Sequence, residues 1–145
     1  MHLLRIHNAL TRNALRAHGG REVKHTGDGI MASFVRAEDA VDCAVAIQRA
    51  FAAHNAAHPD QSLHLRVGIS AGEPIEEHGD LFGAAVQLAA RLCAYSEPGR
   101  VLVAEVVKDC CEDARHAFID HGAITPKGFD RPLRVYEVDV DPRAG

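Results

Sequence analysis

Apolar residues recur along the chain with two spacings, one typical of helices and one typical of strands. Segments 2–17 and 37–57 place apolar side chains three or four positions apart, which predicts two amphipathic helices. Segment 63–74 places apolar residues at every second position from 63 to 71, which predicts a half-buried strand. Two β-prone runs flank the pair Asp28-Gly29, and a D-G pair between such runs predicts a tight hairpin.

The second half of the chain continues to alternate helical and extended patterns. It predicts a polar loop at 76–80, a helix at 81–95, a strand at 100–104 and a short helix at 105–114. A terminal pair of strands is predicted at 116–124 and 133–140. The resulting order is helix, two strands, helix, strand, helix, strand, helix, two strands. This order predicts an α/β or α+β fold with a mixed sheet.

Composition restricts the class of protein. A chain of 145 residues with 47% hydrophobic and 25% charged residues is typical of one globular domain, expected here over residues 1–140 with a frayed tail at 141–145. The net charge of −4 argues against a nucleic-acid-binding chain. Because we find neither a signal peptide nor an apolar run of 18 residues, we expect no membrane contact and a cytoplasmic location.

The cysteines and histidines do not form a recognisable ligand or disulfide pattern. The four cysteines lack C-x-x-C spacing, and three of them lie in apolar helical segments, which is typical of reduced intracellular thiols. The ten histidines are scattered and include no H-E-x-x-H motif. We therefore expect no histidine metal site.

The predicted helix 81–95 carries only two strongly polar side chains. Gln87 and Arg91 are four residues apart, so they share one helical face. A helix that is apolar nearly all round is usually covered on most sides, and a buried arginine is usually paired. We therefore expect Arg91 to face an anionic group in a site. An ion pair across a dimer interface is the alternative interpretation.

Five motifs, in this order, resemble the class III nucleotidyl cyclase catalytic domain, with the bacterial adenylate cyclase branch nearest. They run from about Arg21 to Val138 and read HTGDGIMASF, LRVGISAGEP, GDLFGAAVQLAARL, EPGRVLVAEVV and PKGFDRPLRVYEV. The resemblance implies an α+β fold, with a ferredoxin-like mixed sheet and helices on its faces. It also implies a head-to-tail homodimer that converts ATP to 3′,5′-cyclic AMP and pyrophosphate for intracellular signalling.

The resemblance also assigns roles to individual residues. The second metal-binding aspartate of the family corresponds to Asp28, and the family uses two Mg²⁺ or Mn²⁺ ions. The adenine-selecting lysine and its carboxylate partner correspond to Lys24 and Asp80, which offer a donor and an acceptor to the base. The transition-state arginine corresponds to Arg91. Gln87 replaces the ribose-orienting asparagine, and the phosphate-binding lysine is Lys127.

Three observations leave alternatives open. The first strand of the family, which carries the first metal aspartate, precedes the opening helix and is absent from this sequence, so we expect these residues alone to be inactive. Asp28 could be a residue tolerated in a tight turn. Asp80 could cap the following helix. The alternative function is a catalytically inactive signalling or dimerisation module with a cyclase fold.

Overall fold

The computed structural model describes residues 2–26, 29–72, 75–77, 80–111 and 115–140. Four helices, eight strands and one 3₁₀ turn lie within these ranges. In chain order they are α1 His2–Ala17, β1 Arg21–Thr26, β2 Gly29–Ser33, α2 Ala37–Ala57, the 3₁₀ turn Pro59–Gln61, β3 Val67–Ile69, β4 Ile75–Glu77, β5 Asp80–Phe82, α3 Ala84–Tyr95, β6 Val101–Ala104, α4 Glu105–Cys110, β7 Phe118–Ile124 and β8 Leu133–Val138.

The main sheet has four strands in the order β3-β6-β8-β7. β3 runs parallel to β6, whereas β8 is antiparallel to both β6 and β7. The sheet is therefore mixed, and together with the helices it gives an α+β fold, as the resemblance implied. The predicted terminal strand pair is the β7–β8 hairpin, in which β7 bulges between Asp120 and Ala123.

Two further strand pairs stand apart from the main sheet. β1 and β2 form the predicted antiparallel hairpin, in which Thr26 lies opposite Gly29. Asp28 lies outside the described residues. In the described part of the chain this hairpin and β3 belong to separate sheets. β4 and β5 form a third, two-stranded sheet.

Helices cover both faces of the main sheet. Successive side chains of a strand point to opposite faces of the sheet. In β6, Val101 and Val103 pack against α2 and α4 on one face. Leu102 packs with Leu92 of α3 on the other face. A second core joins α1 to α2 and to the β1–β2 hairpin. Its buried members are Leu15, Cys43, Ile47 and Phe51.

The structure corrects three of the predicted elements. The predicted strand 63–74 is, among its described residues, hydrogen-bonded as a strand only over Val67–Ile69. Side chains of α2 instead bind the backbone at Leu63 and Leu65. The predicted loop 76–80 is part of the β4–β5 hairpin. The helix predicted from residue 81 begins at Ala84, because β5 extends to Phe82 and Gly83 follows it with φ 117°.

Helices α1 and α2 both occupy the ranges predicted for them. No helix in the described ranges is long and apolar enough to cross a bilayer.

Candidate active site

Helix α3 presents one exposed face on the outside of the fold. Its opposite side is anchored by Leu92, which is fully buried against residues of β6 and β8. Gln87 and Arg91 are both exposed and lie one turn apart. The remaining exposed side chains of this face are Ala84, Ala90, Ala94 and Tyr95. The face therefore carries an amide and a guanidinium on a surface made mostly of alanine.

Within this chain α3 is covered on one side only, whereas the sequence pattern predicts cover on most sides; cover by a second subunit stays a prediction. Alanine counts as apolar in a sequence pattern, but its small side chain loses little when it stays in water. Three of the apolar positions of α3 are exposed alanines, so the helix has one buried and one open face. Arg91 is consequently exposed within this chain, and a group that binds it must approach from outside.

The other predicted site residues lie on separate elements. Lys24 is exposed on β1, opposite Met31, and Lys127 is exposed in the turn between β7 and β8. Asp80 is the first residue of β5 and pairs with Glu77 of β4. Strands β1 and β5 contact each other, which brings the elements of Lys24 and Asp80 together.

The interpretation of Asp80 as a helix cap is wrong. The residue at the N-cap position of α3 is Gly83, and α3 has no side-chain cap hydrogen bond at that end. The reason is the β4–β5 hairpin, which includes Asp80 and separates it from the helix by the rest of β5. The cap interpretation had competed with a role in base recognition.

A second polar cluster, which the sequence analysis missed, surrounds a buried carboxylate. Glu137 is 8% exposed, and its two carboxylate oxygens accept hydrogen bonds from Arg100 Nη1 at 2.6 Å and His121 Nε2 at 2.8 Å. The hydrogen bond from Arg100 to Glu137 raises the pKa of the guanidinium. The sequence contains a signal of this burial. Glu137 follows Val135 by two positions in a strand, so it points to the same face as this apolar residue.

This cluster lines a cavity of about 290 Å³ at the C-terminal end of α3. Tyr95, Ser96, Glu97 and Leu102 complete the lining. Four of the site residues predicted from the sequence have described side chains, and none of these four lines the cavity: Lys24, Gln87, Arg91 and Lys127. The cavity therefore adjoins the exposed face of α3 at Tyr95 but is lined by neither Gln87 nor Arg91.

A sequence model of the adenylate and guanylate cyclase catalytic domain matches residues 1–139. The chain belongs to this family. It is 37% identical over 129 residues to the putative adenylate cyclase 3 of Rhizobium meliloti, covering 88% of this chain and 22% of that protein. It is 36% identical over 142 residues to an uncharacterised protein of Mycobacterium tuberculosis, covering 98% of this chain and 36% of that protein. This cyclase domain thus spans about a fifth to a third of the length of these relatives.

Solved structures share the fold of the cyclase domain. An adenylate/guanylate cyclase/hydrolase from Silicibacter pomeroyi superposes with a TM-score of 0.82 at 38% identity, covering 89% of this chain and 78% of that one. The adenylyl cyclase CyaB from P. aeruginosa gives a TM-score of 0.77 at 23% identity, covering 94% and 80%. The guanylyl cyclase Cya2 gives 0.81 at 24% identity, covering 94% and 78%. The fold is therefore common to adenylyl and guanylyl cyclases, and it does not by itself select the base.

The described residues of the cyclase domain supply no complete metal site. Within the ranges that the structure describes, no group of three or more histidine, cysteine, aspartate or glutamate side chains could hold an ion. Asp28, the one carboxylate that the resemblance assigns to a metal, lies outside those ranges.

Proposed function

We propose that this cyclase domain converts ATP to 3′,5′-cyclic AMP and pyrophosphate, as one subunit of a head-to-tail homodimer. The observation that carries the proposal is the exposed face of α3, on which Gln87 and Arg91 lie one turn apart in a chain of the cyclase family. An exposed guanidinium among alanines is accessible to a phosphate that approaches from outside the chain.

The reaction needs charge stabilisation more than it needs covalent catalysis. The ribose 3′ oxygen bonds to the α-phosphorus, the bond from that phosphorus to the bridging oxygen breaks, and pyrophosphate leaves. The proton of the 3′-hydroxyl passes to water. Charge develops on the phosphate oxygens as these bonds exchange. We assign Arg91 to that charge, because a guanidinium can donate two parallel hydrogen bonds to phosphate oxygens.

Two further residues would hold the remainder of the nucleotide. The amide of Gln87, one turn before Arg91, would donate a hydrogen bond to a ribose oxygen and orient the attacking hydroxyl. Lys127, exposed in the turn between β7 and β8, would bind the terminal phosphates as a point charge. A bound Mg²⁺ or Mn²⁺ ion, for which Asp28 is the proposed ligand, would lower the pKa of the ribose hydroxyl.

Base selection rests on a donor and an acceptor on contacting strands. The ammonium of Lys24 would donate to N1 of adenine, and the carboxylate of Asp80 would accept from its amino group. The contact between β1 and β5 supports this pairing. The choice of ATP over GTP is also supported by the similarity to the putative adenylate cyclase of Rhizobium meliloti.

The direction of these side chains supports the proposed homodimer. Gln87 and Arg91 are exposed whereas Leu92 of the same helix is buried, so both are directed away from the core of their own subunit. A second subunit laid over this face would exclude water from the nucleotide and supply the residues of β1 and β5. Two such composite sites form when the arrangement is symmetric.

The proposal is tested by assaying the natural protein that contains this domain with ATP and Mn²⁺ or Mg²⁺ and measuring cyclic AMP. We expect cyclic AMP production, and we expect Arg91→Ala to reduce kcat by about 10²–10³-fold, the scale of losing one preorganised donor. Arg5→Ala, which removes an exposed arginine from α1, is the matched control and should retain wild-type kcat. A folded dimer that makes no cyclic nucleotide with either metal would favour the inactive signalling module.

A further inference from the structure

Strand β3 and helix α3 approach each other at backbone distance. A Cβ atom placed on Gly68 would lie 2.3 Å from the amide nitrogen of Cys93 and 2.5 Å from the carbonyl oxygen of Ala89. Ordinary van der Waals contacts of a Cβ atom are 3.4–4 Å. Because both neighbours are backbone atoms of one helix, no change of rotamer relieves the overlap. Only a residue without a side chain lets α3 lie this close to the sheet.

The contact lies directly behind the proposed catalytic face. Successive residues of an α-helix are rotated by about 100° about its axis. Ala89, Leu92 and Cys93 therefore group on the side of α3 that meets Gly68. Gln87 and Arg91 are each two positions from Ala89, so each is about 160° from it around the helix axis. A movement of the helix away from β3 would carry these two side chains outward along the direction in which they point.

We propose that Gly68 is a positioning residue for the cyclase reaction. By allowing α3 to rest against β3, it sets the depth at which Gln87 and Arg91 meet the nucleotide. The role assigned to Gly68 rests on the proposed function of those two residues. Even an alanine at position 68 would require α3 to move about 1 Å away from β3 before its Cβ atom reached ordinary contact distance. A displacement of about that size at a reacting centre can lower the rate about 100-fold.

The test is Gly68→Ala in the natural protein that contains this domain. We expect its crystal structure to have α3 displaced by about 1 Å from β3. We also expect kcat to fall by about 100-fold while KM for ATP stays within about threefold, because transition-state contacts are more sensitive to this shift than ground-state binding. A variant that keeps α3 in place, or that keeps kcat within about threefold of wild type, would overturn the proposal.

A control separates positioning from lost stability. Val41→Ala removes side-chain volume from a fully buried residue of α2, on the face of the sheet that is opposite to α3. It should lower the Tm as Gly68→Ala does, yet leave kcat within about threefold of wild type. An equal fall in kcat in both variants would mean that Gly68 acts through stability alone.

A second variant covers the case in which Gly68→Ala does not fold. Ala104 of β6 is buried beneath α3 in the cluster that contains Leu92. Ala104→Val should move α3 away from the sheet through a side-chain contact and reduce kcat by a smaller factor than Gly68→Ala. An unchanged kcat with a displaced helix would overturn the proposal. If the wild-type protein makes no cyclic nucleotide, the proposed function fails, and the position of α3 in the crystal structures alone decides whether Gly68 sets it.

Discussion

The side-chain amide of Asn55 hydrogen-bonds the backbone of Leu63 through both of its polar atoms. Asn55 Nδ2 donates to the carbonyl of Leu63 at 2.7 Å, and the amide of Leu63 donates to Asn55 Oδ1 at 2.7 Å. The side chain thus makes the two bonds that a neighbouring strand would make. Gln48, two turns earlier in α2, donates to the carbonyls of Leu65 and Arg100 at 2.9 Å each. Helix α2 thereby holds the segments that lead into β3 and β6.

Replacing Asn55 with alanine should destabilise the fold. The substitution leaves an amide and a carbonyl of Leu63 without their partners, and unpaired buried groups cost about 1–3 kcal/mol. Asn13→Ala on the exposed side of α1 is the control and should change the free energy of unfolding by less than about 0.5 kcal/mol. Urea unfolding monitored by circular dichroism measures both. Equal effects of the two variants would mean that the segment before β3 does not need Asn55.

The two arginine–carboxylate pairs of the β-sheet should differ in their contribution to stability. Arg100 binds the buried Glu137, whereas Arg134 binds Asp120, whose side chain is 52% exposed. Arg100→Ala leaves a buried carboxylate with one fewer charged donor, so we expect a loss of about 1.5–3 kcal/mol. Arg134→Ala should cost less than about 1 kcal/mol, because exposed ion pairs contribute little. Chemical denaturation of both variants provides the measurement, and a larger loss for Arg134→Ala would contradict this account.

The buried thiol of Cys43 should make the fold sensitive to alkaline pH. Burial raises the pKa of this thiol from 9.0 to about 11. The unfolded chain therefore releases the proton first as the pH rises, so this thiol leaves stability unaffected below pH 9 and lowers it between pH 9 and about 11. We expect the urea midpoint to fall less steeply over that range in Cys43→Ala than in wild type. Cys110→Ala, at an exposed thiol, should keep the wild-type slope.

Base preference should depend on Lys24 and Asp80 together. Guanine presents donors where adenine presents N1, and an acceptor where adenine presents its amino group. Lys24→Glu with Asp80→Ser reverses the donor and acceptor, so the ratio of kcat/KM for ATP to that for GTP should fall at least about tenfold. Lys108→Glu, a charge change of the same size on α4, should leave the ratio unchanged. Equal turnover of both nucleotides by the wild-type protein would contradict the proposed base contacts.

Two inactive variants should restore activity when they are mixed. If Asp28 of one subunit serves the same site as Arg91 of the other, a heterodimer of Asp28→Ala and Arg91→Ala chains retains one intact site. Random association should then give about a quarter of wild-type activity, because half of the dimers are mixed and each has one working site of two. Coexpression followed by a cyclic AMP assay measures this. No recovery in a mixture shown to contain heterodimers would favour sites built within one chain.

The long elements and the family are predictable from the pattern of residues along the chain. Helix α2 occupies residues 37–57 as predicted, because its apolar positions repeat over several turns and Pro59 follows its end. The β1–β2 hairpin was visible in the same way, through its central D-G pair. The five motifs identified the cyclase domain, and with it the fold class. The roles of Asp28, Lys24, Asp80, Gln87, Arg91 and Lys127 remain predictions.

Which surfaces are covered depends on how the elements pack in three dimensions. Strands of three residues, such as β4 and β5, contain too few positions for a period to be recognised. The sequence pattern therefore predicts a loop and the start of a helix where the structure has their hairpin. The exposure of Arg91 and the burial of Glu137 depend on which elements pack alongside each residue, which a linear pattern does not record. The close approach of Gly68 to α3 likewise exists only when β3 and the helix are brought together, since contact distances are set by packing in three dimensions.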